Sequence, residues 1–162
     1  MFKHNFSYSI WENFIPINIK LKNKIKKIKV KKFTENTNNF NKDCRMNPTL
    51  KDIVDENLTS TFKEFNLTLD NCWVQYYKKN DYHSIHTHFN KMKDFSFVWF
   101  ISGSPNSSPI RFFDVGYPVI STGKILTFKF KPGLFLLFPG FLPHEVPSNK
   151  SNNRVIVSGN LI

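Results

Sequence analysis

The feature that most constrains this chain is a succession of short β-rich segments that begins near Asn71. Each segment is rich in aromatic and β-branched residues, which favour strands. Turn residues separate the segments, as at 102–105 and at Pro132-Gly133. Seven or eight short strands with frequent turns are typical of a sandwich or a jelly roll. The segments are CWVQYY, SIHTHF, FSFVWFI, IRFFD, KILTFKF, GLFLLFP and RVIVSGNLI.

The residues before Asn71 have a different periodicity. Leu21, Ile25 and Ile28 recur at helical spacing, although Ile17, Ile19 and Leu21 also alternate as they would in a strand. We predict a helix here.

A second helix is predicted to begin at NPTLKD, with Asn47 as its cap and Pro48 in its first turn. We therefore expect a mainly β fold with α, namely a double-stranded β-helix (jelly roll) with two supporting N-terminal helices. The whole chain, 1–162, is expected to be one domain, with a helical support region at 1–70 and a metal-binding β core at 71–162. The apolar face of the second helix is predicted to contain Leu50, Ile53, Val54, Leu58, Phe62 and Phe65.

The positive charge is concentrated in one segment. The formal net charge is +11, and the eight lysines from Lys20 to Lys32 account for all but +3 of it. Lysines can bind nucleic acid by neutralising phosphates, but a solvated basic helix explains a single lysine-rich stretch more simply. We therefore expect no nucleic-acid partner.

No segment indicates a membrane or secretory destination. There is no run of 18 apolar residues, and the first residues lack the apolar core of a signal peptide. Cys44 and Cys72 fit neither a zinc motif nor a disulfide framework. We expect reduced thiols in a cytoplasmic protein, in the cytoplasm of the host cell if the protein is viral.

A histidine cluster, HSIHTHF, holds three of the five histidines of the chain. If SIHTHF is a strand, His86 and His88 point to the same face and can bind one metal ion. His83 has the opposite parity and is expected in a loop or at the surface. His144, in LLFPGFLPHEV, is the candidate third ligand. Three imidazoles suit Zn²⁺ with one open position, whereas two histidines and a carboxylate would suit Fe(II), and the pattern leaves both metals open.

Arg154 follows His144 by ten residues and opens the last predicted strand. On that strand it shares a face with Ile156, Ser158 and Asn160. A guanidinium near a metal is well shaped to hold a carboxylate through two hydrogen bonds. The position therefore indicates an anchor for a dicarboxylate.

Residues 71–162 resemble the 2-oxoglutarate/Fe(II)-dependent oxygenases that are common in marine phage and bacterial genomes. The pattern of that family runs W-x-N, H-x-H, a strand with Ser, G-x-x-x-x-F-P-x-x-x-x-H-x-V and R-x-x-x-S-x-N. The matching residues are Trp73, His86, His88, Ser96, Gly133, Phe138, Pro139, His144, Val146, Arg154, Ser158 and Asn160.

The resemblance implies a metal set with departures from the usual one. His86, His88 and His144 would hold Fe(II), with His88 at the position where 2-oxoglutarate oxygenases generally carry a carboxylate. Asp114 is a spare carboxylate that is expected to be able to replace His88. Gln75 stands where Asn is usual.

The resemblance also implies the use of 2-oxoglutarate as cosubstrate, which would chelate the metal through its 2-oxo acid end. Arg154 would bind the distal carboxylate, with help from Ser158 and from Tyr76, ten residues before His86. The reaction would release succinate and CO₂ and most simply hydroxylate a substrate. The apolar walls that would exclude water are expected to contain Phe97, Trp99, Phe112 and Phe138.

Two other functions stay open. A three-histidine metalloenzyme, for example with zinc, would not use 2-oxoglutarate. A cupin-like binding protein would hold a metal or ligand without catalysis.

Overall fold

The strands form two antiparallel sheets in the computed structural model, which describes residues 1–4, 8–28, 47–88, 95–115 and 120–162. The larger sheet has six strands in the order β1-β2-β8-β5-β10-β3, and the smaller has four in the order β4-β9-β6-β7. The strands are β1 (Phe2–His4), β2 (Ile10–Phe14), β3 (Leu69–Tyr77), β4 (His83–His86), β5 (Phe95–Ser102), β6 (Ile110–Val115), β7 (Ile120–Phe128), β8 (Leu134–Pro139), β9 (His144–Val146) and β10 (Arg154–Leu161).

The two sheets face each other across a shared apolar core. Phe100, Leu136 and Ile156 from the larger sheet pack in one cluster with Phe112 and Val146 from the smaller sheet. Burial of each such side chain stabilises the fold by about 1.5–3 kcal/mol. The facing antiparallel sheets confirm the predicted jelly-roll type of fold.

Two helices, α1 (Ile19–Lys26) and α2 (Pro48–Lys63), pack against the outer face of the larger sheet. Each begins at an asparagine whose side-chain oxygen accepts a hydrogen bond from a backbone N–H of the first turn. Asn18 accepts from Leu21 N at 2.8 Å and Asn47 from Leu50 N at 3.1 Å. Such caps satisfy donors that the helix itself leaves unpaired. Both predicted helices are confirmed.

The central strand β5 is buried on both faces because the helices cover one and the smaller sheet covers the other. Phe97, Trp99 and Ile101 point to the helices. Val98 and Phe100 point to the space between the sheets. This alternation decides which aromatic residues can reach the centre of the fold.

The first 70 residues contribute strands to the larger sheet as well as the two helices. β2 pairs with β8, with Trp11 opposite Leu137 and Phe14 opposite Leu134. The short strands β1, β2 and β9 were not predicted, because three to five residues hold too little periodicity to be recognised.

The basic segment is only partly described. Lys20, Lys24 and Lys26 of α1 are exposed, whereas its apolar Leu21 and Ile25 are buried, and residues 29–32 lie outside the described part. The expected absence of a nucleic-acid partner stays a prediction. No helix in the described ranges has the length and apolar character needed to cross a membrane.

Candidate metal centre

Three histidines converge between the sheets. His86 on β4 lies opposite His144 on β9, and His88 follows two residues later. One ligating nitrogen from each of His86, His88 and His144 lies within 4.8 Å of the others. Two ligands that each bind one metal at about 2.0–2.1 Å are at most about 4.2 Å apart, so metal binding would draw the three nitrogens somewhat closer together. The strand parity that aligned His86 and His88 thus brings them to the residue proposed as the third ligand.

Backbone hydrogen bonds orient two of these rings. Nδ1 of His86 lies 2.8 Å from the carbonyl oxygen of Ser84, and Nδ1 of His144 lies 2.9 Å from that of Leu142. A carbonyl accepts only, so each Nδ1 carries the proton and donates it. The acceptor lone pair of each ring is therefore on Nε2, the tautomer that is typical of metal-binding histidines.

Burial keeps these imidazoles neutral. It lowers the pKa of His86, and it lowers the pKa of His144 further, with the neighbouring histidines adding to the effect. Only a neutral imidazole binds a metal. Both rings are thus in the ligating form at physiological pH.

His83 is inside the fold, and the expectation that it lies in a loop or at the surface is wrong. It is 8% exposed, and its ring stacks on that of His86 at 3.6 Å between centroids. The reason is an irregularity in β4. His83 pairs with Val146 and His86 with His144, so three residues of β4 span two of β9. The extra residue reverses the parity between the two histidines.

The histidines line a small cavity between the sheets, with a volume of about 20 Å³. Its walls combine polar side chains from β3 and β10 with aliphatic ones. They contain Trp73, Gln75, Tyr77, His83, His86, His88, Val98, Ile110, His144, Val146, Ile156 and Ser158.

Arg154 is a fully buried cation in the same interior. It is 0% exposed, and its Nε donates to the carbonyl oxygen of Ser108 at 3.1 Å. Its guanidinium lies over the ring of Tyr77, with Cζ 4.3 Å from the ring centroid. Nη1 and Nη2 have no hydrogen-bond partner among the residues that the structure describes. Burial lowers the pKa of Arg154, but a guanidinium stays charged in proteins, so the interior holds a buried positive charge.

Tyr76 does not face Arg154, which corrects its proposed contact with the cosubstrate. Its hydroxyl donates to the carbonyl oxygens of Ile25 and Ile28, at 2.8 and 3.0 Å, on the helix side of the sheet. Alternation along β3 instead turns Tyr77 inward, opposite Arg154. The prediction relied on the distance from His86 along the sequence. Tyr77 has the same parity as Trp73, whose ring lies 5.5 Å from that of His88.

Asp114 is buried on β6 but does not join the histidines. Phe112 lies opposite His144, so Asp114 is two residues farther along the strand. Among the described residues, the group of mutually close ligating atoms contains the three histidines alone. The structure therefore does not place the spare carboxylate at the centre.

Ser158 lines the cavity near the histidines, opposite Trp73. It lies four residues from Arg154 on the same strand, or about 13 Å between α-carbons. Its expected help in binding the distal carboxylate stays a prediction.

Two of the four expected wall aromatics reach the centre. The rings of Phe112 and Phe138 lie 5.6 and 5.0 Å from that of His144. Phe97 and Trp99 belong to the cluster under the helices, so their expected place at the cavity is wrong. The cause is again the alternation of side chains along β5, which turns Phe97 and Trp99 to the helix side of the sheet.

The buried histidines predict that the metal-free protein loses stability in acid. Burial lowers the pKa of His83 from 6.5 to about 3, so below pH 6.5 the unfolded chain binds a proton that the folded chain excludes. The free energy of unfolding should fall as pH drops from 6.5 towards 3, by up to about 1.4 kcal/mol per pH unit for each such histidine. Urea denaturation between pH 7.5 and 4 measures this slope. His83→Phe should make it shallower, and an equal slope in both proteins would contradict the assignment.

Residues 71–160 match the family described as "Putative 2OG-Fe(II) oxygenase". The matched region contains His86, His88, His144 and Arg154. The chain belongs to the 2OG-Fe(II) oxygenase family. The family takes its name from Fe(II) and 2-oxoglutarate (2OG).

A solved structure from the 2OG-Fe(II) oxygenase family shares the fold, and a second solved structure is less similar. An oxidoreductase of this family from Burkholderia pseudomallei is 14% identical with a TM-score of 0.57, covering 70% of this chain and 58% of that one. A prolyl-4-hydroxylase from Pseudomonas putida is 17% identical with a TM-score of 0.45, covering 69% of this chain and 59% of that one. The chain thus spans less than two thirds of the length of either protein. No curated protein sequence matches it.

The three histidines of this family member can hold iron. Imidazole suits Fe, Zn, Cu and Ni, and the hydrogen-bonded Nδ1 atoms put the acceptor lone pair of His86 and His144 on Nε2. The departure from the usual triad is electrostatic, because His88 brings no negative charge. The iron site would therefore keep the full charge of the ion.

Proposed function

We propose that the chain is a Fe(II)/2OG-dependent dioxygenase that acts as a hydroxylase, with 2-oxoglutarate bound between Arg154 and the three histidines. The observation that carries this proposal is the buried guanidinium of Arg154, whose two terminal nitrogens have no partner among the described residues. An unpaired buried charge costs several kcal/mol. A ligand carboxylate would remove this cost and would match the two parallel N–H donors.

Different residues would bind the two ends of the cosubstrate. His86, His88 and His144 would hold the metal, and Arg154 would bind the carboxylate that the metal does not reach. Fe(II), when bound, supplies the activation of dioxygen while 2-oxoglutarate is oxidised to succinate and CO₂.

The surrounding aromatic residues support an oxidation chemistry. Phe112 and Phe138 are 0% exposed and pack against His144. They would keep water from the side of His144 on which they pack and so protect a bound metal from side reactions.

Arg154→Lys tests the proposal because it keeps the charge and loses the two-pronged donor. Loss of a hydrogen bond to a charged group should cost roughly 1.5–3 kcal/mol, so 2-oxoglutarate should bind about ten- to a hundredfold more weakly. Calorimetric titration of the metal-loaded protein without oxygen measures this, and metal affinity should stay the same.

Arg111→Lys is the matched control. Arg111 is an exposed residue paired with Glu145 at 3.3 Å, so its replacement should leave 2-oxoglutarate affinity unchanged. Equal affinity in the wild type and Arg154→Lys would place the anchor elsewhere. Absence of binding to the wild type would refute the proposed use of 2-oxoglutarate.

A three-histidine zinc enzyme is the second candidate, favoured by the lack of a carboxylate in the group of close ligating atoms. Neutral imidazoles alone are a usual ligand set of catalytic zinc. Metal analysis of the purified protein, together with succinate formation in the presence of iron, separates the two enzymes. An inactive cupin-like binding protein would bind metal and produce no succinate.

We also propose a cytoplasmic location. Cys72 is a free, buried thiol, and burial raises its pKa to about 12. Such a thiol is chemically inert, and free thiols are typical of a reducing compartment.

A further inference from the structure

We propose that Asn149 is a positioning residue for Arg154. It fixes the carbonyl oxygen of Ser108, and this carbonyl holds the guanidinium so that Nη1 and Nη2 are the atoms left to bind an anion. The inference rests on the proposed binding of 2-oxoglutarate by Arg154. It assigns a role to a residue of the loop between β9 and β10 that does not line the cavity of the histidines.

Asn149 is a buried amide that uses both ends of its side chain. It is 1% exposed. Its Oδ1 accepts a hydrogen bond from Ser108 N at 3.0 Å, and its Nδ2 donates to the carbonyl oxygens of Lys78 and Ser151, at 3.1 and 2.5 Å. One side chain thus pairs with backbone groups of three loops, which follow β3, β5 and β9, where no strand pairing can do so.

Ser108 connects Asn149 to Arg154, because every polar atom of this buried serine has a partner. Its N–H donates to Asn149, and its hydroxyl donates to the carbonyl oxygen of Ser148 at 2.7 Å. Its own carbonyl oxygen accepts from Nε of Arg154 at 3.1 Å. The first two hydrogen bonds fix the peptide backbone at Ser108, so the carbonyl that holds Nε has a fixed position as well.

The hydrogen bond at Nε determines which edge of the guanidinium can bind a ligand. A carboxylate can pair with an arginine through Nε and one terminal nitrogen or through both terminal nitrogens. Since Nε of Arg154 donates to Ser108, the available edge is formed by Nη1 and Nη2, which have no partner within the described ranges. The rings of Tyr77, Phe100 and Phe130, at 4.3, 5.7 and 5.7 Å from Cζ, restrict the orientation of the guanidinium plane.

A guanidinium that is held in place binds a carboxylate more tightly than a mobile one. Ordering a long side chain during binding costs free energy, and the contacts of Asn149 and Ser108 order Arg154 beforehand. Loss of Asn149 should therefore weaken the binding of an anion to Arg154 although the positive charge remains.

The test compares three variants. Asn149→Ala removes the amide. Ser108→Ala is a milder change that keeps the carbonyl oxygen and removes the hydroxyl that bonds to Ser148. Ser107→Ala is the matched control, because the buried hydroxyl of Ser107 bonds to that of Ser151 at 2.8 Å and so joins the same two loops without contacting Arg154.

The first measurement is calorimetric titration of the metal-loaded protein without oxygen. Its ligands are 2-oxoglutarate and 2-oxobutyrate, which has no distal carboxylate. Asn149→Ala should weaken 2-oxoglutarate about tenfold and Ser108→Ala about threefold, whereas their affinities for 2-oxobutyrate and for the metal should stay the same. In an Arg154→Lys background Asn149→Ala should cause no further loss, because residues that act through one contact are not additive.

The second measurement does not depend on 2-oxoglutarate. The buried Nε–H of Arg154 should give an NMR signal that exchanges slowly with water in the metal-free protein labelled with ¹⁵N, and Arg154→Lys assigns this signal by its loss. Asn149→Ala should speed up the exchange by about tenfold or more. Ser107→Ala should leave the exchange unchanged, and the exposed Arg111 provides a rapidly exchanging reference.

The inference is overturned if Asn149→Ala keeps the affinity of the wild type for 2-oxoglutarate, or if Ser107→Ala loses as much affinity as Asn149→Ala. Unchanged exchange of the Nε–H in Asn149→Ala also overturns it. If Asn149→Ala does not fold, the same outcomes in Ser108→Ala decide.

The two proposals can fail separately. If the wild type binds 2-oxoglutarate and only Arg154→Lys weakens it, the role of Asn149 is refuted and the proposed function is supported. If the wild type binds neither 2-oxo acid but Asn149→Ala speeds up the exchange of the Nε–H, the proposed function is refuted and the positioning of Arg154 by Asn149 is supported.

Discussion

Replacing His144 by alanine is expected to lower the metal affinity by more than about a hundredfold. His144 is 3% exposed and its Nδ1 is held by the carbonyl of Leu142, so its Nε2 is oriented before a metal arrives. Loss of a partner that merely orients a ligand typically costs 10–100-fold in metal affinity, and loss of the ligand itself should exceed this. Calorimetry with Fe(II) without oxygen, or with Zn²⁺, measures the change.

His83→Ala is the matched control, because His83 is a buried histidine of the same cavity that stacks on His86. It does not belong to the group of three close ligating atoms, so its removal should change metal affinity only a few-fold. If His83→Ala and His144→Ala lost equal affinity, the metal would have a different set of ligands.

Replacing Phe97 by alanine is expected to be the most destabilising of the changes considered, at about 3–5 kcal/mol. The Phe97 ring is 0% exposed and lies 5.3 Å from that of Phe62 on α2 and 5.8 Å from that of Phe135 on β8. It therefore joins the helix to the larger sheet. The loss is a large part of the 5–15 kcal/mol that stabilises a typical domain, and the melting temperature should fall by on the order of 10 °C.

Phe14→Ala is the matched control, because it makes the same substitution at a phenylalanine that is 52% exposed. It should cost about 1 kcal/mol or less. Urea denaturation and thermal melting of both variants check the difference. A similar small loss in Phe97→Ala would mean that the contact between helix and sheet contributes little to stability.

Most of the β core could be predicted from the sequence because its strands are long enough to show their composition. β3, β5, β8 and β10 each contain a run of aromatic and β-branched residues that turns interrupt. The close approach of His86 and His88 could be predicted as well, since their spacing matches the two-residue period of an extended strand.

The wrong predictions concern side chains whose direction is not fixed by the alternation of residues along a regular strand. The irregular pairing in β4 turns His83 inward, and the sequence HSIH contains no signal for the extra residue that causes it. Tyr76 and Tyr77 are adjacent and chemically equal, so only the register with Arg154 separates them. The short strand β2 depends on its partner β8, and tertiary pairing of this kind leaves little local signal.

If Arg154 binds an anion as proposed, its buried charge would make the stability of the folded protein depend on the supply of that ligand. No acidic side chain among the described residues compensates this guanidinium, so the ligand-free protein carries an electrostatic penalty that an anionic ligand would relieve. A ligand that binds only the folded state stabilises it by about 2.7 kcal/mol at a hundred times its dissociation constant. In a cell with little of such an anion, the ligand-free protein would unfold and be degraded more readily than the ligand-bound protein. The abundance of the protein would therefore rise and fall with the concentration of the anion that Arg154 binds.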